Sequence, residues 1–225
     1  MKIALCFRGI ARSLKHTIET IRSHIIEPAH ELGEVRSFTH LFDQAEINDV
    51  RSGEVGELDR TEYLLLQSDE VQLEPPNECL ALHKFEEIKT YGDSFNNNFS
   101  SMRNLIHELH SLKQGWAMAQ AWKPDIVLFL RPDLAYQSSF KGLLAETIKV
   151  QRKGLCIPIW QGCWGANDRY SIATTPTAAD TYANRIDRAL DYCKKINGPL
   201  HAEIFLLACL REDKTPLWFT KIQAC

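Results

Sequence analysis

Apolar runs and apolar stripes alternate along the chain. Lys2 to Phe7 (KIALCF) is a short apolar run, the pattern of a buried strand, and Leu14, Ile18, Ile21 and Ile25 then recur at helical spacing. Ser13 stands at the N-cap of that predicted helix, and Pro28 at its stop. Val35 to Phe42 predicts a second strand, whereas the polar, Gly-containing stretch from Asp43 to Arg60 predicts a loop with little core of its own. A short helix around Glu62 to Gln67 and a strand near Glu70 to Glu74 follow, closed by Pro75 and Pro76. Met102, Leu105, Ile106, Leu109, Leu112 and Trp116 mark the longest predicted helix, from Ser101 to Ala121. Asp125 to Leu130 (DIVLFL) is apolar throughout its middle, as a central parallel strand covered on both faces must be. Beyond it the pattern predicts strands at Leu155 to Trp160 and Leu217 to Ile222, a short extended piece at Arg169 to Thr174, and helices over Thr177 to Lys195 and His201 to Arg211.

Strands alternating with helices predict an α/β fold: a mostly parallel central sheet flanked by helices, with later short strands inserted beyond the long central one. The 225 residues, 44% of them hydrophobic, suit one domain spanning residues 1–225. The 26 basic and 29 acidic residues are dispersed, so no basic stripe exists to follow a phosphate backbone and nucleic acid is not an expected partner. The apolar start from Met1 to Phe7 is too brief for a signal-peptide core or a membrane span, which leads to the expectation of a soluble, cytoplasmic protein. Seven dispersed cysteines without a CxxC pair suggest small hydrophobes rather than a disulfide framework or a zinc site.

In open α/β sheets ligands bind outside the carboxyl ends of the strands, which singles out Arg8 to Arg12, Asp43, and Arg131 to Asp133. Asp133 lies in the run LFLRPDL (Leu128 to Leu134), just past a strand end, where a carboxylate can ligate a divalent ion that bridges two phosphates; the competing reading pairs it with Arg131 or makes it a turn cap. Its place at a strand end, outside the core, implies that removing it would spare the melting temperature. Arg8, Gly9 and Arg12 lie between a strand and a helix N-terminus, an arrangement suited to a diphosphate, and Arg103 on the long helix is a further candidate for phosphate or ribose. Trp164, Asn167, Asp168 and Arg169 combine an aromatic with polar side chains in a Gly-rich segment, the mixture that sugar sites use. Asp168 is there a candidate base or sugar-orienting group, or else an Asx-turn residue. His201 and Glu203 stand at the mouth of a predicted helix, where a cap and a first-turn glutamate are the structural alternative.

CFRGIARS, SMRNL, LFLRPDL, WGANDRYSIAT, YANR and LHAEIFL, in that order from Cys6 to Leu207, resemble glycosyltransferase-like proteins of bacterial and viral lipopolysaccharide or capsule synthesis with the GT-A type of fold. The resemblance implies transfer of a sugar from a nucleoside-diphosphate sugar, UDP by default, to a glycan or lipid-linked acceptor hydroxyl. It also implies a nucleotide-binding half at residues 1–133 and a sugar and acceptor half at 134–225. Glu203 or Asp168 would serve as base, and a manganese or magnesium ion would sit on Asp133, with His201 completing its coordination. RPD stands where many GT-A enzymes carry Asp-x-Asp, so Arg131 replaces the first acid and itself becomes a candidate for the diphosphate. Two other readings stay open. A catalytically silent nucleotide- or polysaccharide-binding module fits the missing acid, while a sugar nucleotidyltransferase would need a Gly-rich first loop with a lysine.

Overall fold

The computed structural model describes residues 1–49 and 53–225. Strand β1 (Lys2–Gly9) pairs in parallel with β2 (Glu34–Phe42) and with β6 (Ile126–Leu130). On the far side of β2 lies β5 (Glu70–Glu74), also parallel. Beyond β6 the sheet continues through β8 (Ser171–Ala173), β7 (Leu155–Pro158) and β9 (Leu217–Thr220), giving the order β5-β2-β1-β6-β8-β7-β9. Only β8 runs against its neighbours in this sheet. The strands predicted at 35–42, 125–130, 155–160, 169–174 and 217–222 are all present, trimmed or extended by a few residues.

Successive side chains of a strand face opposite sides, and here each side finds its own cover. Ala4, Cys6, Phe38, Val127 and Phe129 pack beneath α5 (Ser100–Gln120), α7 (Pro176–Ala183), α8 (Ala189–Ile196) and α9 (Ala202–Glu212). Ile3, Leu5, Phe7, Ile126, Leu128 and Leu130 pack against α1 (Leu14–Ile21) and α6 (Lys141–Lys149). Five of the seven cysteines are buried in these layers or beside them. No helix among the described residues is long and apolar enough to cross a membrane.

Several local expectations are corrected. Ser13 does not cap α1: its backbone is left-handed (φ 63°), its side chain makes no capping bond, and the Lys15 amide is instead taken by the Glu62 carboxylate at 2.7 Å. Pro28 does not stop the helix, because a π turn (Arg22–Ile26) leads into α2 (Glu27–His30) and places the proline in a first turn, where its missing N–H costs little. The stretch read as a loop at 43–60 contains a hairpin, β3 (Glu46–Asp49) with β4 (Glu54–Glu57); residues 50–52 lie outside the described ones. Two five-residue helices, α3 (Glu78–Leu82) and α4 (Phe85–Lys89), and α6 were not anticipated. The helix predicted over 177–195 is broken by a 3-10 turn, Asn184–Arg188.

Candidate active site

The carboxyl ends of β1 and β6 open onto a cleft of about 680 Å³, bounded by the β3–β4 hairpin on one side and by α5 and the start of α9 on others. Arg8, Gly9, Arg12, Arg131, Asp133, Asp168, Arg169 and Glu203 all line it, so most of the residues chosen by the strand-end rule meet in one place. Asp43, Arg103, Trp164, Asn167 and His201 are not among its lining residues.

One wall is a network of guanidinium groups and carboxylates. Arg131 donates to both oxygens of Asp133, through Nε at 3.0 Å and Nη2 at 2.7 Å, and Arg12 Nε reaches Asp133 Oδ2 at 3.0 Å. Arg12 also bonds Glu54 on β4 at 2.6 Å, which ties the hairpin to the rim. Burial works against ionisation of Asp133, but the two guanidiniums outweigh it and hold the carboxyl down at about 2. Asp133 therefore already carries two cationic partners. That donor set does not suit a metal ion as a third, and His201 does not join it: its Nδ1 lies 3.2 Å from Glu203 Oε2. The implied metal site at Asp133 and His201 is not supported by this geometry.

Arg8 is 1% exposed, and both terminal nitrogens of its guanidinium are committed. It donates to Glu108 on α5 and to the carbonyl oxygen of Asp168, which also accepts from the Tyr182 hydroxyl at 2.9 Å. Glu108 faces Arg131 Nη1 as well, at 3.5 Å, and these two cations keep its half-buried carboxyl below the ordinary glutamate range despite desolvation. Arg8 is thus a pin between β1, α5 and the 161–168 segment rather than a free phosphate clamp. The helix mouth beside it is likewise occupied, since Glu62 supplies the anion for α1 and the Gly9 N–H goes to Ser111 Oγ at 2.8 Å. Gly9 keeps a separate role. Its φ of 107° favours glycine, and a Cβ there would meet nothing within 4 Å, so the backbone itself faces open space.

The opposite wall carries carboxylates of the other kind. Asp168 is driven up by burial and by the nearby Glu108 charge, against the pull of Arg185, Arg8 and Arg131. Its Oδ2 lies 3.5 Å from Arg185, which is buried and stacked on the Tyr182 ring. Glu203, in the first turn of α9, is raised by desolvation and then by the Asp168 charge. Gly165 brings these two regions together: its Cβ would come within 2.1 Å of the Glu203 backbone, and the next residue, Ala166, donates its N–H to the Glu203 carbonyl at 2.9 Å. Arg169 completes this side, stacked over Trp160 at 5.2 Å.

The remaining candidates occupy other surroundings. Asp43 forms a two-pronged pair with exposed Arg60, away from the cleft. Arg103 stacks on Phe85 at 5.9 Å from the ring centroid. Trp164 is 95% exposed, while Asn167 is buried and structural, donating to the Trp160 carbonyl at 2.5 Å and accepting from the Arg169 amide at 2.9 Å. The Asx turn weighed for Asp168 is made by its neighbour. Glu108, Tyr182 and Glu54 were missed as site residues. Glu108 is one polar residue on a helix, 100 residues from Arg8 in the chain, and nothing in its local pattern marks it. Arg185 lies inside the YANR motif, the one signal that pointed towards it.

No protein-family model matches the chain, and no curated protein matches it. Among solved structures, the mannosyltransferase Ktr4p from S. cerevisiae is similar over 99% of this chain and 70% of its own, with a TM-score of 0.51 at 8% identity. Mouse xyloside xylosyltransferase 1, in its apo form, matches over 98% of this chain and 85% of its own, with a TM-score of 0.46 at 12% identity. The sheet order with its single reversed strand and the likeness to the mannosyltransferase together establish the fold as the GT-A-like fold of glycosyltransferases.

Proposed function

We propose that the cleft binds a nucleoside-diphosphate sugar and transfers the sugar to an acceptor hydroxyl. The observation that carries this reading is the opposition of its walls: Arg12 and Arg131 on one side, two half-buried carboxylates of raised pKa on the other. The acceptor oxygen attacks the anomeric carbon, the bond from that carbon to the diphosphate oxygen breaks, and the electron pair leaves with the diphosphate. Arg12 and Arg131 stabilise the departing charge, an effect that a partly desolvated cleft strengthens. No step runs through a metal at Asp133, whose role here is to orient the two arginines.

Glu203 takes the acceptor's proton in this scheme. Asp168 is engaged with Arg185 through its side chain and with Arg8 through its carbonyl, which suits it to orient a sugar hydroxyl. The sugar side of the cleft then draws on residues 134–225 and the nucleotide side on residues 1–133. UDP is the donor nucleotide implied by the resemblance, with a glycan or lipid-linked acceptor. A silent binding module is the second reading, favoured by the neutralised Asp133. Incubating the protein with a panel of nucleotide-sugars, with and without simple glycan acceptors, separates the two. Release of nucleoside diphosphate that Glu203→Gln abolishes supports transfer; binding with no release across the panel supports the module.

A further inference from the structure

A second cluster lies under the same sheet edge, outside the residues assigned to transfer. His40 on β2, Glu74 at the end of β5 and His110 on α5 bring one ligand atom each to within 4.8 Å of one another. His110 Nε2 is 2.8 Å from Glu74 Oε2, and His40 Nε2 is 3.3 Å from Glu74 Oε1. Both histidines are buried, at 0% and 3% exposure, while the Glu74 side chain keeps 28% and leaves a way in from solvent.

The tautomer of His40 follows from its neighbour. Ser111 has one hydroxyl proton, and it is given to the His40 carbonyl at 2.6 Å, since a carbonyl only accepts. The same oxygen accepts the Gly9 N–H at 2.8 Å, so the 3.0 Å contact with His40 Nδ1 requires the ring to donate there. In the neutral ring Nε2 then carries a bare lone pair. It has no hydrogen-bond partner among the described residues, and the atom 3.3 Å from it is a carboxylate oxygen, another acceptor. Two acceptors facing each other in a buried site need a cation between them.

A proton on His40 Nε2 would meet that need only by charging the ring. A metal ion meets the same need without charging the ring. In a tetrahedral zinc site with bonds of about 2.0–2.2 Å, neighbouring ligand atoms stand roughly 3.3–3.6 Å apart. The 3.3 Å and 2.8 Å contacts are made to the two oxygens of one carboxylate, and with one ligand atom from each residue within 4.8 Å of the others, small side-chain shifts bring the three to those separations once the ion replaces the proton between His110 and Glu74. The outer partners are in place too: Ser111 fixes His40, His83 Nε2 lies 2.9 Å from His110 Nδ1, and Gln72 donates to Glu74 Oε1 at 2.8 Å.

We propose that His40, Glu74 and His110 bind a zinc-class divalent transition metal, with water in the fourth position. The ion joins the edge strand β5 to β2 and to α5, and so braces the wall of the cleft formed by Phe42 and His107. It stands apart from the transfer reaction, and its test uses no activity.

The test is direct metal analysis of chelator-stripped protein after reloading with zinc and removal of excess, with cobalt substitution read by visible absorption. The expected result is one zinc per chain, a tetrahedral cobalt spectrum, and a melting temperature raised by zinc and returned by chelator. Glu74→Gln and His110→Gln lose the metal, His83→Gln binds roughly 10–100-fold more weakly, and exposed His16→Gln binds as before. Wild-type protein that retains no zinc and gives no tetrahedral cobalt spectrum overturns the proposal whether or not the variants fold. So does an unchanged zinc content in Glu74→Gln.

Discussion

The two walls of the cleft hold carboxyl groups at similar depth and treat them in opposite ways. Asp133 sits between Arg131 and Arg12 and is held at about 2, ionised at every ordinary pH. Asp168 and Glu203 are also shielded from water but repel nearby carboxylates, Glu108 in one case and Asp168 in the other, and both are raised. Burial pushes all three the same way, so neighbouring charge decides the outcome. The first wall is a fixed electrostatic frame; the second is where a proton can be taken up.

The contrast breaks most sharply at Glu203. Glu203→Gln removes the proposed base, with an expected loss of roughly 100–10,000-fold in turnover and little change in melting temperature. The acid limb of the wild-type pH–rate profile carries the same information. A base works unprotonated, so its raised pKa makes activity fall, as pH drops, at a value above the ordinary glutamate 4.5. A limb at or below that value removes Glu203 from the role.

Next in size is the pin on the other wall. Arg8→Met leaves the partly buried Glu108 beside a single cation and is expected to cost about 2–4 kcal/mol of stability, read by denaturant unfolding. A loss below about 1 kcal/mol would show that Arg8 is not the pin described. Asp133 gives a smaller, pH-gated effect. Its folded-state pKa lies below the ordinary 3.8, so its stabilisation is present above that value and is lost as pH falls towards about 2. The amount is about 2 kcal/mol, visible as an acid-side slope in wild-type stability that Asp133→Asn flattens. This reverses the expectation that removing Asp133 spares the melting temperature: the residue lies beyond the end of β6, yet it is the centre of a buried ion network. Trp164→Ala marks the lower end, with a change within about 0.5 kcal/mol and no effect on donor binding, since its side chain is 95% exposed.

Much of this frame was legible in the sequence because it rests on local patterns. The runs of β1 and β6 and the stripe of α5 are buried as their spacing required, and the strand-end rule reached Arg8, Arg131 and Asp133. Elements without such a pattern were lost: α6 buries only Leu144 and Thr147, and the exposed β4 offers no apolar alternation. Partnerships were the larger gap. That Glu62 occupies the mouth of α1, that Glu108 neutralises Arg8, and that His40 meets Glu74 and His110 all depend on residues brought together from distant segments. Trp164 was misread for the opposite reason, as an aromatic in a Gly-rich segment whose left-handed backbone (φ 72°) turns it out to solvent.

Calorimetric titration with UDP, GDP, CDP and dTDP, each with and without manganese, bears most directly on the cleft as a sugar-nucleotide site, because binding needs no knowledge of the acceptor. Selective binding of one diphosphate, unchanged by manganese and weakened in Arg131→Met, is the expected result. Failure of all four to bind would contradict it, and binding that appears only with manganese would return the metal to Asp133 and overturn the guanidinium wall.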